Sequence, residues 1–155
     1  MSKIINIRDK KLEKKKKHHD LTFNHQNYIN QIYLDQNFPE KDTILKELKR
    51  KLSSYLAQDK KKNRIYDKAK YINIEDLLPL LVSSKLRCHY CKKELLLLYN
   101  NKRDPRQWTL DRVDNNKPHN TNNVVVACLK CNLERRCRDN KKFLMSKQMT
   151  IIKCD

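Results

Sequence analysis

Two cysteine pairs of C-x-x-C spacing, Cys88–Cys91 and Cys128–Cys131, constrain this chain more than any other feature. A two-residue gap lets both sulfurs of a knuckle reach one ion. Two knuckles supply four thiolates, the donor set of a tetrahedral structural Zn2+ site. The 36 residues between the knuckles would then be closed into one loop by the metal. His89 sits inside the first knuckle and is expected to point away from an ion that both flanking cysteines ligate. Cys137 and Cys154 stand outside the spacing and are read as free thiols. A staple is also what the composition asks for. With 155 residues, 38% of them hydrophobic and 35% charged, the chain cannot build one large apolar core.

The formal net charge is +18, and four thiolates on one divalent ion lower it by only two. Such an excess opposes compaction unless a polyanion offsets it, so nucleic acid is the expected partner. No apolar run reaches the roughly 20 residues of a membrane span, and Met1 to Lys17 lacks the apolar centre of a signal peptide. The expectation is a protein of the cytoplasm or nucleus of its cell, where thiols stay reduced and cysteines serve as metal ligands rather than disulfides. The sequence contains no glycine. Turns must therefore lean on asparagine, which tolerates left-handed backbone, and Asn100, Asn101, Asn115, Asn116, Asn120, Asn122 and Asn123 stand where turns are needed. Abundant Lys, Asn and Ile without Gly also hint at an AT-rich genome.

Three regions follow. Residues 1–22, with the run Lys14 to His19, read as a disordered basic arm that could track phosphates, act as a nuclear address, or simply solubilise the chain. Residues 23–71 read as a basic helical region. Within it 24–38 show no clear period, whereas Ile44, Leu45, Leu48, Leu52, Tyr55 and Leu56 recur at helical spacing from about 43 to 58, with Lys46, Lys49, Arg50 and Lys51 outside the stripe. Residues 59–70 are a basic linker or helix extension. Residues 72–155 form the third region. It opens on a helix that Asn73 caps, running from Ile74 to about Ser84 with Pro79 as a possible kink.

Between the knuckles the segment Trp108 to Asp114 alternates apolar and polar residues as a strand does, and Asn123 to Ala127 is a second, β-branched strand. A turn-rich loop with Pro118 and His119 joins them, and a helix starts at Asn132. This order of strand, loop, strand and helix resembles the HNH superfamily of ββα-metal (His-Me finger) nucleases. The resemblance rests on Cys88 and Cys91; on Gln107, Trp108, Thr109, Leu110, Asp111 and Arg112; on Asp114, Asn115, His119 and Asn123; and on Cys128, Cys131, Asn132 and Arg135. It extends from about Ile72 to Ile152, includes the tail Phe143 to Ile151, and is closest in pattern to HNH proteins of large DNA viruses.

The resemblance implies a small α+β fold, a zinc-stapled ββα-metal domain behind a basic, mainly helical N-terminal region. It implies a metal-dependent endonuclease that hydrolyses DNA phosphodiesters, duplex or branched, in a virus-encoded protein. Asp111 and Asn132 would bind the catalytic Mg2+ or Mn2+, and Asn123 would fix the loop. Lys130, Arg135 and Arg136 would contact DNA. One position departs from the pattern. Arg112 stands where the family has its general-base histidine, and arginine cannot accept a proton near neutral pH. Either His119 serves as the base, with Arg112 gripping phosphate, or the domain binds DNA without cutting it. A plain turn histidine at 119 and an RNA-directed role remain open at this point.

Overall fold

The computed structural model describes residues 24–64, 67–150 and 152; the expected basic arm at 1–22 and Cys154 lie outside them. The order is α1 (His25–Tyr33), α2 (Lys41–Lys61), α3 (Ile74–Ser83), β1 (Trp108–Arg112), a 3-10 turn (Thr121–Asn123), β2 (Val124–Cys128), α4 (Leu129–Arg135) and α5 (Asn140–Gln148). β1 and β2 form a two-stranded antiparallel ribbon in which Leu110 faces Val126 and Trp108 faces Cys128. The chain is thus a small α+β protein.

Each helix has a local cause. Asn24 caps α1, its side chain accepting the Gln26 N–H, so the segment without clear periodicity is helical because Ile29 and Ile32 bury one side of it. α2 runs 21 residues, longer than the expected 43–58, and its stripe Ile44, Leu48 and Leu52 is buried. Asn73 and Asp76 form a capping box at the start of α3. That helix continues through Pro79, which lies on its exposed side.

Packing is continuous across the expected boundary at 71/72. Ile29, Ile44, Leu48, Leu77, Leu81, Trp108, Leu110 and Phe143 belong to one buried cluster. Two details of α2 differ from the sequence reading. Lys51, expected outside the stripe, is 6% exposed. Its ammonium donates to the Trp108 carbonyl and to Gln107 Oε1 and lies over the Trp108 ring. Asp59, at the start of the stretch expected as a basic linker or helix extension, lies in the last turn of α2 and is wholly buried.

The ribbon is buried on both faces, so the alternation in β1 does not separate core from solvent. Trp108 and Leu110 are buried, and so are Thr109 and Asp111. Buried polar groups need partners, and both have them. The Thr109 hydroxyl donates to the Ala127 carbonyl, and Asp111 is paired as described below. The ribbon edges are covered too. The Leu110 N–H donates to the Tyr55 hydroxyl of α2, and the His89 N–H of the first knuckle donates to the Val126 carbonyl of β2, so the middle of each edge is occupied from within the chain.

The missing glycines are not replaced as expected. Left-handed backbone occurs at Asp35, Asn63, Lys85, Leu86, Lys92 and Arg136, none of which is among the seven asparagines singled out. Two of them, Asn115 and Asn123, serve through side-chain hydrogen bonds instead.

Candidate metal centre and the buried polar site beside it

The two knuckles meet. One ligand sulfur each from Cys88, Cys91, Cys128 and Cys131 lies within 4.8 Å of the others, and Cys91 Sγ is 3.9 Å from Cys128 Sγ. Four Zn–S bonds of about 2.3 Å in a tetrahedron put the sulfurs about 3.8 Å apart, whereas a disulfide would need about 2.05 Å. The spacing therefore fits a shared ion and not a bridge, and the four cysteines could hold a metal such as zinc.

Local structure sets this geometry. In the first knuckle the Lys92 N–H donates to the Cys88 carbonyl at 3.0 Å, a turn that requires the left-handed backbone of Lys92, φ 59°. The second knuckle is the first turn of α4. Cys128 is its N-cap, and its sulfur accepts the Cys131 N–H. The Cys88 hydrogen bond and burial push the Cys128 thiol up, and burial with the neighbouring Cys88 thiolate pushes Cys131 up to about 12. A divalent cation removes that repulsion by taking all four sulfurs as thiolates.

Beside this centre lies a second buried constellation, built on Arg135 of α4. Arg135 is 1% exposed. Its Nε donates to Asp111 Oδ2 at 2.6 Å and its Nη2 to Asp111 Oδ1 at 2.9 Å. Nη2 also reaches the Arg112 carbonyl and Asn115 Oδ1, and Nη1 the Arg138 carbonyl. The Tyr90 hydroxyl, from inside the first knuckle, donates to Asp111 Oδ2 at 2.5 Å. Asp111, expected as the first cation ligand, thus faces a guanidinium and a phenol and is 4% exposed. Arg135, expected to hold phosphates, is turned inward.

Asn132, one turn earlier, donates to Thr109 Oγ1 and the Leu110 carbonyl, which leaves its amide oxygen as the available donor for a cation. Asn123 closes the inter-strand loop. Its oxygen accepts the Asp114 N–H and its nitrogen donates to the Asp114 and Pro118 carbonyls. Lys130 and Arg136 are exposed.

On the other side of β1, Arg112 and His119 converge on Asp59. His119 Nδ1 lies 2.6 Å from Asp59 Oδ2, and the His119 backbone N–H donates to the same oxygen. Arg64 donates to Oδ1, and Arg112 Nη1 is 3.7 Å from it. The Tyr55 ring stacks on the imidazole, centroids 4.6 Å apart. Burial pulls the His119 imidazole below its ordinary value, against the opposing pull of Asp59. Burial raises the Asp59 carboxyl, but hydrogen bonds from His119 hold it below its ordinary value. The pair is therefore a neutral imidazole beside a carboxylate at neutral pH.

The sequence reading gives Asp59, Tyr90 and Tyr55 no role in a site: Tyr55 stands there only in the apolar stripe of α2 and Asp59 only at the start of the basic stretch after it. Asp59 falls four residues after Tyr55, on the continuation of the apolar stripe, and an acid there was the available signal. Tyr90 gave none, since spacing residues in a knuckle are free to vary.

Two outcomes follow. Purified protein should hold one zinc per chain, and a Cys91→Ser, Cys131→Ser double variant should lose both the metal and most of its thermal stability; metal analysis and melting curves check this. Stability should also fall on acidification. The unfolded His119 takes up a proton near its ordinary value, about 6.5, and the folded one only at lower pH. Stability is thus fully present above about 6.5 and is lost as pH drops through that window. Asp59 adds to the loss at still lower pH, below about 3.9. His25 and His89 are also pulled down by burial, so His119→Gln should flatten the fall in melting temperature between pH 7 and 5 without abolishing it. No family model, curated protein or solved structure matches the chain.

Proposed function

We propose that this chain is a DNA-binding protein on an HNH-type ββα frame, stapled by structural zinc, in which the position of the catalytic cation is closed. The observation that carries the reading is the bidentate, buried ion pair of Asp111 with Arg135. Arginine keeps its proton at any physiological pH, so Asp111 is permanently neutralised. A cation brought to the same carboxylate would meet that guanidinium. Like unit charges 4 Å apart repel by about 4 kcal/mol at an effective dielectric of 20, and a divalent ion doubles this. The residues present do not fit Mg2+ or Mn2+ at this position, since Asn132 alone offers one amide oxygen.

The zinc fits its site, and its chemistry there is structural. Four thiolates fill the tetrahedron and leave no position for a reacting water. DNA as partner is supported by the +18 charge and by exposed cations on the elements around the ribbon, among them Lys49, Arg106, Lys130 and Arg136.

A second reading, the metal-dependent endonuclease, is favoured by one observation. With Nδ1–H held by Asp59, the neutral His119 carries its basic lone pair on Nε2, the arrangement of an oriented general base. That reading requires DNA to expose His119, which is 4% exposed, and to draw Asp111 away from Arg135.

The deciding experiment is a supercoiled-plasmid assay with Mg2+ or Mn2+. Wild-type protein should bind the plasmid and leave it uncut. Asp111→Ala should destabilise the fold by about 3–5 kcal/mol, the cost of a buried charge left without its partner. Nicking by the wild type that falls by about 10²–10⁴-fold in His119→Ala would install the endonuclease in place of the binding protein.

A further inference from the structure

A cleft of about 620 Å³ lies between α2 and α4, floored by β1 and the 99–107 segment that leads into it. It is distinct from the Asp111–Arg135 constellation, since neither residue lines it. Its lining contains Arg50, Lys51 and Lys102 and no acidic residue. Glu47 sits behind Arg50 and grips its Nε and Nη2 at 2.8 and 2.7 Å, which fixes the guanidinium at the cleft and offsets its charge, so Arg50 serves there as a positioned hydrogen-bond donor and Lys102 as the cation. Lys102 is exposed and makes no ion pair among the described residues. Lys51 brings its ammonium to the floor, against Gln107 and the Trp108 carbonyl.

The neutral lining is of a different kind. Gln58 and Asn132 present amides, Ser54 a hydroxyl, and Leu133, 62% exposed, an apolar edge. Cations on one side and amides beside an apolar edge on the other match a phosphodiester strand, which offers anionic oxygens along its backbone and flat, hydrogen-bonding bases. A polymer is favoured over a free nucleotide because exposed cations continue on each bordering element: Lys46 and Lys49 on α2, Arg103 and Arg106 on the floor segment, Lys130 on α4.

We infer that this cleft seats one strand of DNA, its phosphates on Arg50 and Lys102 and its bases against the wall formed by Asn132 and Leu133. The inference rests on the DNA-binding reading above and assigns it a surface. It gives Asn132 a role that needs no cation: its amide nitrogen is held by Thr109 and Leu110, which fixes the direction of its oxygen as an acceptor for a base or sugar. It also makes α2, which lies outside the stretch resembling HNH nucleases, part of the binding surface.

The test is a fluorescence-anisotropy titration of labelled duplex and single-stranded oligonucleotides with the full zinc-loaded chain, repeated across a KCl series. Ser54→Glu and Lys102→Glu each place a carboxylate at the cleft and should weaken binding at least about tenfold. Lys102→Gln should lower the salt slope by about 0.9 for duplex or 0.7 for a single strand, the release expected from one phosphate contact. Lys141→Glu, the same charge change as Lys102→Glu at an exposed position of α5, serves as the comparison and should weaken binding far less. All sites but Ser54 carry exposed long side chains; should Ser54→Glu unfold, Lys102→Gln and Lys102→Glu decide the matter. Cleft variants that bind no worse than Lys141→Glu overturn the assignment of this surface while DNA binding itself stands. A wild-type chain that binds neither oligonucleotide removes the DNA-binding reading and the cleft with it.

Discussion

The buried guanidinium of Arg135 is the interaction on which the C-terminal half depends. It joins β1 through Asp111, the start of the inter-strand loop through the Arg112 carbonyl and Asn115, and the turn after α4 through the Arg138 carbonyl. Tyr90 shares Asp111 and so brings in the first knuckle, and Asn140 of α5 donates in turn to the Tyr90 hydroxyl. A charge this deep is tolerated only because each donor it buries has an acceptor. The proposed binding role rests on the same saturation, since a divalent cation brought to Asp111 would meet the guanidinium.

A metal such as zinc on the four cysteines and the Asp111–Arg135 pair would divide the labour. The ion would tie segments far apart in sequence at one end of the ribbon, and Arg135 locks the other end of β1 to α4. Together they would offset the small apolar core of a chain whose like charges repel. The helices before the ribbon do more than decorate it. Tyr55 satisfies the outer edge of β1, and Asp59 gathers His119, Arg64 and Tyr71 around a carboxylate with no exposure. Because α2 makes both contacts, it stands as a wall beside the ribbon, and the cleft exists as a result.

The parts legible in the sequence were those with a rigid spacing rule. The knuckles, the two strands and the capped α3 each follow from short-range patterns whose cause is local geometry. What escaped is non-local. The alternation in β1 marks Thr109 and Asp111 as polar, but only the partner helix α4 reveals that both are buried and that Asp111 is paired. Lys51 read as one of the basic residues outside the apolar stripe, yet its ammonium lies over the Trp108 ring and finds oxygen partners that no periodicity encodes. The left-handed positions fell to Lys85, Leu86 and Lys92 because the knuckle and the turn before it fix those dihedrals. At such places tertiary ties outweigh the roughly 1–2 kcal/mol preference against left-handed backbone for residues with a Cβ.

Asp111 is where the binding and cleaving readings part, and its access to a divalent cation can be observed directly. Mn2+ broadens the amide resonances of residues near its site. In 1H–15N spectra of the zinc-loaded protein bound to a DNA duplex, titrated with Mn2+, the signals of Leu110, Asp111, Arg112 and Asn132 should broaden no more than those of other buried residues. Selective loss of those four signals at low Mn2+ would place a cation on Asp111 and contradict the account.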